Sequence, residues 1–245
     1  MISAETEATL RRLLTEQPTY RPVQRVLSQI ANVTFICFVG AGGMGKTTLM
    51  DELVVFNGER YGKTRNFTSR PPRPDDDPKR YYYYQHTDEG LAPLLQRIER
   101  HENLQHNIDP YSGYVYGSEA GDYPHPYNLG DIWSTSIDGF RQLGFDKLYI
   151  FSVVTDADSW QRRFDMRFPA DHDLREARLK EAAQSLTWSL AQKNSDHQWV
   201  INRDGDIRVA ANSVDSIIRG EKSAGQNEAR ELAQQCLARA QELLG

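Results

Sequence analysis

A glycine-rich segment, GAGGMGKT at residues 40–47, lies between a continuous apolar run and a segment of helical character. The run from Val33 to Val39 is typical of a strand that is buried on both faces of a parallel sheet. The segment fits the pattern G-x-x-x-x-G-K-[ST]. Its glycines let backbone N–H groups surround phosphate oxygens, and the following helix adds the positive end of its dipole. Because the strand and the helix provide the context that this motif requires, we expect the chain to bind a nucleoside triphosphate.

The motif also predicts which groups contact ATP and its Mg²⁺. Lys46 is expected to reach the β- and γ-phosphates, and the Thr47 hydroxyl is expected to join the Mg²⁺ shell. The residues of the loop and the helix start that we expect to bind ATP are Gly40, Ala41, Gly42, Gly43, Met44, Gly45, Lys46, Thr47 and Thr48. The motif alone does not distinguish hydrolysis of ATP from transfer of its phosphoryl group to a second substrate.

Composition and charge narrow the class of protein. The 245 residues are 39% hydrophobic and 26% charged, which is typical of a folded, soluble chain of one large or two small domains. We expect no membrane span, since no apolar run reaches roughly 18 residues, and no secretory signal. The net charge of −5 argues against bulk binding of nucleic acid. Cys37 and Cys236 suggest neither a disulfide framework nor a zinc site, so a cytoplasmic location is expected.

Strands alternate with helices along the chain, which predicts an α/β fold with a parallel sheet. Beyond residues 33–39, the strand candidates are residues 81–85, 127–133, 147–154 and 197–201. The helix candidates are residues 5–31 in two pieces, 46–56, 88–101, 156–167, 171–193 and the C-terminal tail. Residues 219–227 have the composition of a linker. The amphipathic terminal helices offer faces through which two copies could form a homodimer.

Two arginines, Arg70 and Arg73, lie in a proline-rich segment. Guanidinium groups three residues apart and stiffened by prolines match an anionic phosphate. Residues 101–140 contain neither Lys nor Arg, whereas arginines precede and follow that stretch. This partition fits either a solvated surface with a tyrosine-rich patch or a pocket in which cations hold phosphates while acidic, amide and tyrosyl groups hold a ligand that is neutral or rich in donors. The alternative interpretation is a basic, proline-rich surface loop that binds another protein.

Six short motifs, in order, resemble those of the guanylate kinase family. They are the loop at residues 40–47, Thr68-Ser-Arg70-Pro-Pro-Arg73, Tyr82-Tyr-Tyr84, Tyr116-Gly-Ser118, the arginines Arg163, Arg167 and Arg178, and Val200-Ile-Asn202. The resemblance implies a P-loop kinase domain over residues 33–218, with a parallel five-stranded core sheet flanked by helices. It also implies a small acceptor-binding insert at about residues 65–128 and an arginine-bearing lid at about residues 160–180. A helical extension (residues 1–32) and a linker with a C-terminal helix (residues 219–245) would flank this domain.

The resemblance further implies roles for individual residues. Lys46 and the lid arginines Arg163, Arg167 and Arg178 would stabilise the charge of the transferring phosphoryl group, which needs cations and positioning rather than a covalent nucleophile. Asn202 would contact ATP. The residues that would bind the acceptor are Asn66, Arg70, Arg73, Tyr82, Asn107, Tyr116, Ser118 and Asp131, and Asp131 would position either Mg²⁺ or the acceptor. The implied activity is ATP-dependent phosphoryl transfer to a nucleoside monophosphate, with GMP as the first candidate.

One departure from the family pattern concerns the base. Asn107 stands where the family usually carries a carboxylate that accepts hydrogen bonds from guanine, and an amide is a poorer partner for two guanine donors. The same fold with a different phosphorylated acceptor therefore stays open. A nucleotide-binding switch of the signalling-ATPase kind would need paired acids at a strand end and additional domains. A scaffold module without kinase activity would typically lack the lysine that is present here as Lys46.

Overall fold

The computed structural model describes residues 2–73, 76–170, 173–221 and 224–245. Its helices are α1 (Ala4–Glu16), α2 (Gln24–Leu27), α3 (Lys46–Phe56), α4 (Asp88–Glu99), α5 (Ile137–Arg141), α6 (Ala157–Arg167), α7 (Arg175–Ala191), α8 (Ile207–Ile218) and α9 (Gln226–Leu244). Its strands are β1 (Thr34–Val39), β2 (Tyr61–Lys63), β3 (Asn66–Thr68), β4 (Tyr81–Tyr83), β5 (Gln105–Ile108), β6 (Val115–Ser118), β7 (Tyr127–Asp131), β8 (Lys147–Val154) and β9 (His197–Ile201). Residues 171–172 of a predicted helix and 222–223 of the predicted linker lie outside the described residues. None of the described helices has the length and apolarity to cross a membrane.

Five strands form a parallel sheet in the order β2-β7-β1-β8-β9, flanked by helices. Every residue of β1 is buried, and so are the last five residues of β8, as the continuous apolar runs predict. The predicted five-stranded parallel sheet is therefore confirmed, although its membership differs. Tyr81–Tyr83 pairs in another sheet, and the fifth strand is Tyr61–Lys63, which the sequence pattern does not predict.

The chain divides into two compact units. The first comprises Met1–Thr34, Lys63–Asn128 and Ser136–Lys147, and the second comprises Phe35–Gly62, Leu129–Thr135 and Leu148–Gly245. The N-terminal helical segment thus belongs to the first unit and the C-terminal helix to the second. The residues expected to bind the acceptor lie in the first unit, except Asp131, and those expected to bind ATP lie in the second.

The first unit contains a four-stranded sheet in the order β4-β3-β6-β5. Strands β3 and β4 are parallel, whereas β6 is antiparallel to both β3 and β5. One face of this sheet, carrying Phe67, Ile108 and Val115, packs on a core that α1 and α4 complete. The opposite face, which we call the polar face, carries Asn66, Thr68, Tyr81, Tyr83, Gln105, Asn107, Tyr116 and Ser118, because alternate residues of a strand point to opposite sides.

Helix α1 is a packed part of the first unit. Its N-terminus is capped by the Ser3 hydroxyl, which accepts a hydrogen bond from the Thr6 amide, and Glu5 and Glu7 lie in the first turn. Leu10 and Leu13 are almost fully buried in the core with α4. This face of α1 is therefore covered within the chain.

Helix α9 packs against α7, α6 and β9 in the second unit. A stripe of small residues, Ala229, Ala233, Cys236 and Ala240, is buried along it. At its start, the Gln226 side chain accepts a hydrogen bond from the Trp199 amide at 2.8 Å and donates one to the Trp199 carbonyl at 2.9 Å. No large hydrophobic side chain of α1 or α9 is exposed among the described residues, so the contacts lend no support to a homodimer formed through these helices.

Candidate functional site

The loop between β1 and α3 forms the glycine-rich turn that the motif predicts. Gly43 and Gly45 adopt positive φ angles of 89° and 81°, a backbone region that side chains disfavour. A Cβ atom at Gly45 would also collide with the side-chain amide of Asn202. Helix α3 begins directly after Gly45, and the amides of its first turn lack partners within the helix. The loop therefore has the backbone of an anion cradle, with a helix N-terminus behind it.

Lys46 and Asp131 lie together in the second unit. The Lys46 ammonium donates hydrogen bonds to the carbonyl oxygens of Gly40 at 2.6 Å and Ala41 at 3.1 Å. Its Nζ atom lies 3.7 Å from Oδ1 of Asp131, at the end of β7. The lysine side chain is only 11% exposed, whereas that of Asp131 is 31% exposed. The structure thus places Asp131 beside the lysine of the loop, rather than among the other residues expected to bind the acceptor.

Side chains from later in the chain brace the loop through its carbonyl oxygens. Asn202 donates to the Met44 carbonyl at 2.9 Å, and the Trp160 indole donates to the Gly42 carbonyl at 3.0 Å. Arg163 reaches the Gly43 carbonyl at 3.4 Å. These contacts provide partners for three consecutive carbonyl oxygens of the loop and so hold its backbone in place.

The donor set at the start of α3 fits ATP with Mg²⁺. Thr47 and Thr48 are exposed there, so the Thr47 hydroxyl is accessible to a metal ion bound to phosphate. Asp131 adds a partly exposed carboxylate close to Lys46. No cluster of three or more His, Cys, Asp or Glu residues suited to a metal occurs in the described part of the chain. Magnesium in P-loop proteins needs no such cage, because phosphates and waters complete its shell.

The three arginines expected to belong to a lid have partners among neighbouring groups. Arg163 and Arg162 both pair with Asp204, which follows β9. The hydrogen bond from Arg163 lowers the pKa of the Asp204 carboxyl. Arg167 is exposed and lies over the Phe168 ring at 5.5 Å. Arg178 pairs with Glu181 one turn along α7. Arg163 also contacts the loop, through the Gly43 carbonyl.

The polar face of the first unit brings together several residues expected to bind the acceptor. Asn107 and Tyr116 are direct cross-strand partners, and Tyr116 also pairs with Thr68 of β3. Asn66 lies on the same face of β3, and Ser118 lies on the same face of β6. Arg70 follows β3 by two residues. This part of the expected site is a continuous surface of one sheet.

The structure separates Tyr82 from Arg70. It lies on the opposite face of β4 from Arg70, where it packs against the core beside Phe67. Its hydroxyl donates to the buried Asp122 carboxylate at 3.1 Å. Arg70 instead lies over the rings of Tyr81 at 5.2 Å and Tyr83 at 6.0 Å. The alternation of side chains along β4 therefore places Tyr81 and Tyr83, rather than Tyr82, beside Arg70.

Arg70 forms a bidentate pair with a carboxylate of its own loop. Its Nη1 and Nη2 atoms both lie 2.6 Å from the two oxygens of Asp76. The Arg73 amide and the Tyr83 hydroxyl each donate to Oδ2 of Asp76 at 2.7 Å. The hydrogen bonds from Arg70 hold the pKa of the Asp76 carboxyl far below its usual range. Arg70 itself is only 6% exposed.

Asn107 and Ser118 also have partners inside the first unit. The Asn107 side-chain oxygen accepts a hydrogen bond from Gln17, and its amide donates to the Ser136 hydroxyl at 2.5 Å. Ser118 shares a hydrogen bond of 2.8 Å with the Tyr123 hydroxyl. Gln17 follows α1, so the N-terminal segment reaches the polar face of the sheet.

Several residues of the site do not follow from sequence reasoning. The expected residues are contacted by five others that stand 6 to 118 positions away, namely Trp160, Asp204, Asp76, Tyr83 and Gln17. Trp160 lies on a helix that carries arginines, and Asp204 follows a strand. Neither residue has a local sequence pattern that distinguishes it from an ordinary core or surface residue. The acidic run after Arg73 is the one signal that could have indicated Asp76.

Comparison with known proteins identifies a solved structure with a similar fold. No protein-family model matches the chain, and no curated protein sequence matches it. The crystal structure of guanylate kinase from Anaplasma phagocytophilum is similar over 84% of this chain and 95% of that chain, with a TM-score of 0.51 and 18% sequence identity. At this identity the likeness concerns the fold alone. The chain therefore has a guanylate kinase-like α/β fold with a parallel five-stranded sheet flanked by helices.

Proposed function

We propose that this chain transfers a phosphoryl group from ATP to a nucleoside monophosphate, with GMP as the first candidate acceptor. The observation that carries the proposal is the pairing of Lys46 with its glycine-rich loop and Asp131, on a guanylate kinase-like fold. A lysine in such a loop is a compact cation for terminal phosphates, and the loop supplies backbone donors. The fold adds a precedent for phosphoryl transfer but no information on the substrate.

On the ATP side, each residue would act through charge or position. The loop amides would hold the phosphates, and Lys46 would exchange its two carbonyl partners for phosphate oxygens. Thr47 and Asp131 would hold Mg²⁺, which neutralises phosphate charge and orients the oxygens for transfer. Arg163, which already contacts the loop, would add a second cation to the transferring group. Asn202 would keep the loop in shape through the Met44 carbonyl.

On the acceptor side, the phosphate would be held by Arg70, Arg73 and Tyr116. The polar face of the first unit would hold the nucleoside part of the acceptor. After its bonds to Gln17 and Ser136, the Asn107 amide retains one N–H group and one lone pair on its oxygen. A single neutral acceptor cannot pair with both donors of the guanine edge, so the preference for GMP rests on the resemblance rather than on this residue. Transfer to another phosphorylated acceptor is included in the same proposal.

A nucleotide-binding module without kinase activity is the second candidate function. The observation that favours it is the bidentate pair of Arg70 with Asp76, which occupies the group expected to hold the acceptor phosphate. Such a module would bind ATP through the loop and would not transfer its phosphoryl group.

The two functions separate in one experiment. The melting temperature would be measured with a non-hydrolysable ATP analogue, alone and together with GMP, AMP, CMP or UMP, because a bound ligand stabilises the folded state by mass action. Turnover of ATP with each monophosphate would be measured in parallel. The kinase proposal expects an additional shift and formation of a diphosphate with at least one of the four. A shift with the analogue alone, and no diphosphate from any acceptor, would establish the binding module instead.

A further inference from the structure

The Asp76 carboxylate has the partners that a phosphate group would have. It accepts two hydrogen bonds from the guanidinium of Arg70, one from the Arg73 amide and one from the Tyr83 hydroxyl. A bidentate guanidinium fork, a backbone N–H and a tyrosyl hydroxyl together form a charge-assisted anion site. The donors come from the turn after β3 and from β4, and the Tyr81 and Tyr83 rings stand beside the guanidinium.

The occupant of this anion site is attached to the site itself. Asp76 lies six residues after Arg70, in the same proline-rich segment, and its side chain is 11% exposed. Because the carboxylate is tethered, it binds Arg70 without the cost of bringing a separate molecule to the site. An external anion therefore competes with a partner that is present at a high effective concentration.

We propose that Asp76 is an internal occupant of this anion site, so that a phosphorylated ligand binds there only by displacing its carboxylate from Arg70. This inference rests on the proposed function, because it concerns how the acceptor site of that function becomes accessible. It makes Asp76 a residue that sets the affinity for the acceptor phosphate. A ligand with a dianionic phosphate has the advantage in this exchange, since it offers more charge and more acceptor oxygens than one carboxylate.

The cost of displacement follows from population arithmetic. If the site is accessible in only a fraction of molecules, the apparent Kd rises by the inverse of that fraction. Removal of the internal carboxylate should then tighten the binding of phosphate about 10-fold to 100-fold, for an accessible fraction of about 10% to 1%. Strong stabilisation of the ionised Asp76 by Arg70 agrees with a small accessible fraction.

The chain supplies a matched control for the charge change. Asp77 is the next residue, but it pairs with Lys63 at 3.4 Å and accepts from the Lys79 amide at 2.9 Å. Asp77→Asn therefore removes the same charge from the same segment without removing the partner of Arg70. A third variant, Arg70→Gln, removes the guanidinium fork itself.

The test is a calorimetric titration in the absence of ATP. Inorganic phosphate, and separately GMP, would be titrated into the wild-type chain and into three variants, which are Asp76→Asn, Asp77→Asn and the double variant Arg70→Gln/Asp76→Asn. We expect a Kd at least 10-fold lower for Asp76→Asn, little change for Asp77→Asn, and loss of the gain in the double variant. An equal gain in both single variants would reduce the effect to general electrostatics and overturn the proposal. No gain in a folded Asp76→Asn protein would also overturn it.

A second measurement covers the case in which Asp76→Asn does not fold, as judged by circular dichroism and urea unfolding. Crystals of the wild-type chain soaked in phosphate should show the Asp76 carboxylate away from Arg70 and phosphate in its place. Phosphate bound elsewhere, with the pair intact, would overturn the proposal. Since these experiments use no ATP, they separate the inference from the kinase activity. Tighter anion binding by a protein that phosphorylates none of the monophosphates would support the internal occupant and reject the proposed function.

Discussion

At the residue scale, the partners of Lys46 determine how readily it can bind a phosphate. Two of them are neutral carbonyl oxygens of Gly40 and Ala41, and the third is the partly exposed Asp131 at 3.7 Å. Hydrogen bonds to neutral oxygens are weaker than those to charged ones. The ammonium therefore loses little when it exchanges them for phosphate oxygens.

Lys46→Ala should lower phosphoryl transfer by about 10²- to 10³-fold, the usual cost of removing one group that stabilises developing charge. The fold should persist, since the lysine contributes only two hydrogen bonds to its own loop. The kcat of both proteins would be measured under saturating ATP, with circular dichroism as the check on folding. Lys180→Ala is the control, because the Lys180 side chain is exposed and pairs with the exposed Glu176 on the surface of α7. Undiminished kcat in folded Lys46→Ala would contradict the assignment.

Tyr82→Phe should leave the KM for the acceptor unchanged and lower the stability of the chain by about 1 kcal/mol. The hydroxyl of Tyr82 bonds the buried Asp122 carboxylate on the core side of the sheet, and loss of one such hydrogen bond has roughly that cost. Steady-state kinetics and urea unfolding would test the two parts. Tyr111→Phe serves as the control, since that side chain is exposed. A clear rise in KM without loss of stability would place Tyr82 at the acceptor after all.

At the element scale, strands and helices with an apolar pattern are predictable from the sequence, and strands defined by pairing are not. Strands β1 and β8 follow from their apolar runs, and α3 follows from the loop before it. Strands β3, β5 and β6 have three or four residues each and carry polar side chains on one face, so no apolar run predicts them. They form because each completes the hydrogen bonds of its neighbour.

The run Tyr81–Tyr84 shows why the sequence assigns the expected acceptor-binding tyrosine to a segment but not to a face of the sheet. Four identical residues have no alternation of polarity, so nothing in the sequence says which face each one takes. A shift of one residue exchanges Tyr82 for Tyr83 beside Arg70. The order of motifs indicated the segment, but only the pairing of β4 with β3 fixes the face.

Strand β5 carries a buried histidine that makes the stability of the first unit depend on pH. His106 is 2% exposed, its ring packs edge-on against Tyr20 at 4.5 Å, and neither ring nitrogen has a hydrogen-bond partner within the described chain. Burial lowers the pKa of His106 from 6.5 to about 4. Between these values the unfolded chain binds a proton that the folded chain does not bind. Stability is therefore full above pH 6.5 and falls as the pH decreases toward 4.

His106→Leu should remove this part of the pH dependence. The wild-type chain should lose about 2 kcal/mol more stability than the variant between pH 7.5 and pH 5, as the two pKa values require. Urea unfolding at both pH values would measure the difference. His125→Asn, a change at a half-exposed histidine, controls for the general effect of acid. Equal losses in the wild-type chain and in His106→Leu would show that His106 is protonated in the folded state.

At the scale of the whole molecule, the proposed reaction needs both units. The ATP-binding loop belongs to the second unit, whereas Arg70, Tyr116 and the polar face belong to the first. Neither unit alone carries the complete set of residues that the proposal requires. A ligand that contacts both sets at once is therefore the sharpest probe of whether they serve one reaction.

An analogue that joins adenosine to guanosine through five phosphates should raise the melting temperature more than a non-hydrolysable ATP analogue or GMP at the same concentration. Linking the two halves makes the second binding event intramolecular, with an effective concentration in the millimolar range. Thermal shifts of the wild-type chain would measure this, and Lys46→Ala should lose most of the gain. If the linked analogue binds no more tightly than the ATP analogue, the two sets of residues do not act on one substrate pair.

The two hydrogen bonds between Gln226 and Trp199 affect how the chain behaves in concentrated solution. Strand β9 lies at an edge of the five-stranded sheet, and an uncovered edge offers unpaired N–H and C=O groups to any other chain. Gln226 fills one donor and one acceptor there, and α9 packs beside the strand. Cleavage before residue 226 would remove both hydrogen bonds and the packing of α9, and it would uncover the edge of β9 for pairing with a strand of another chain, so the shortened chain should self-associate through β9.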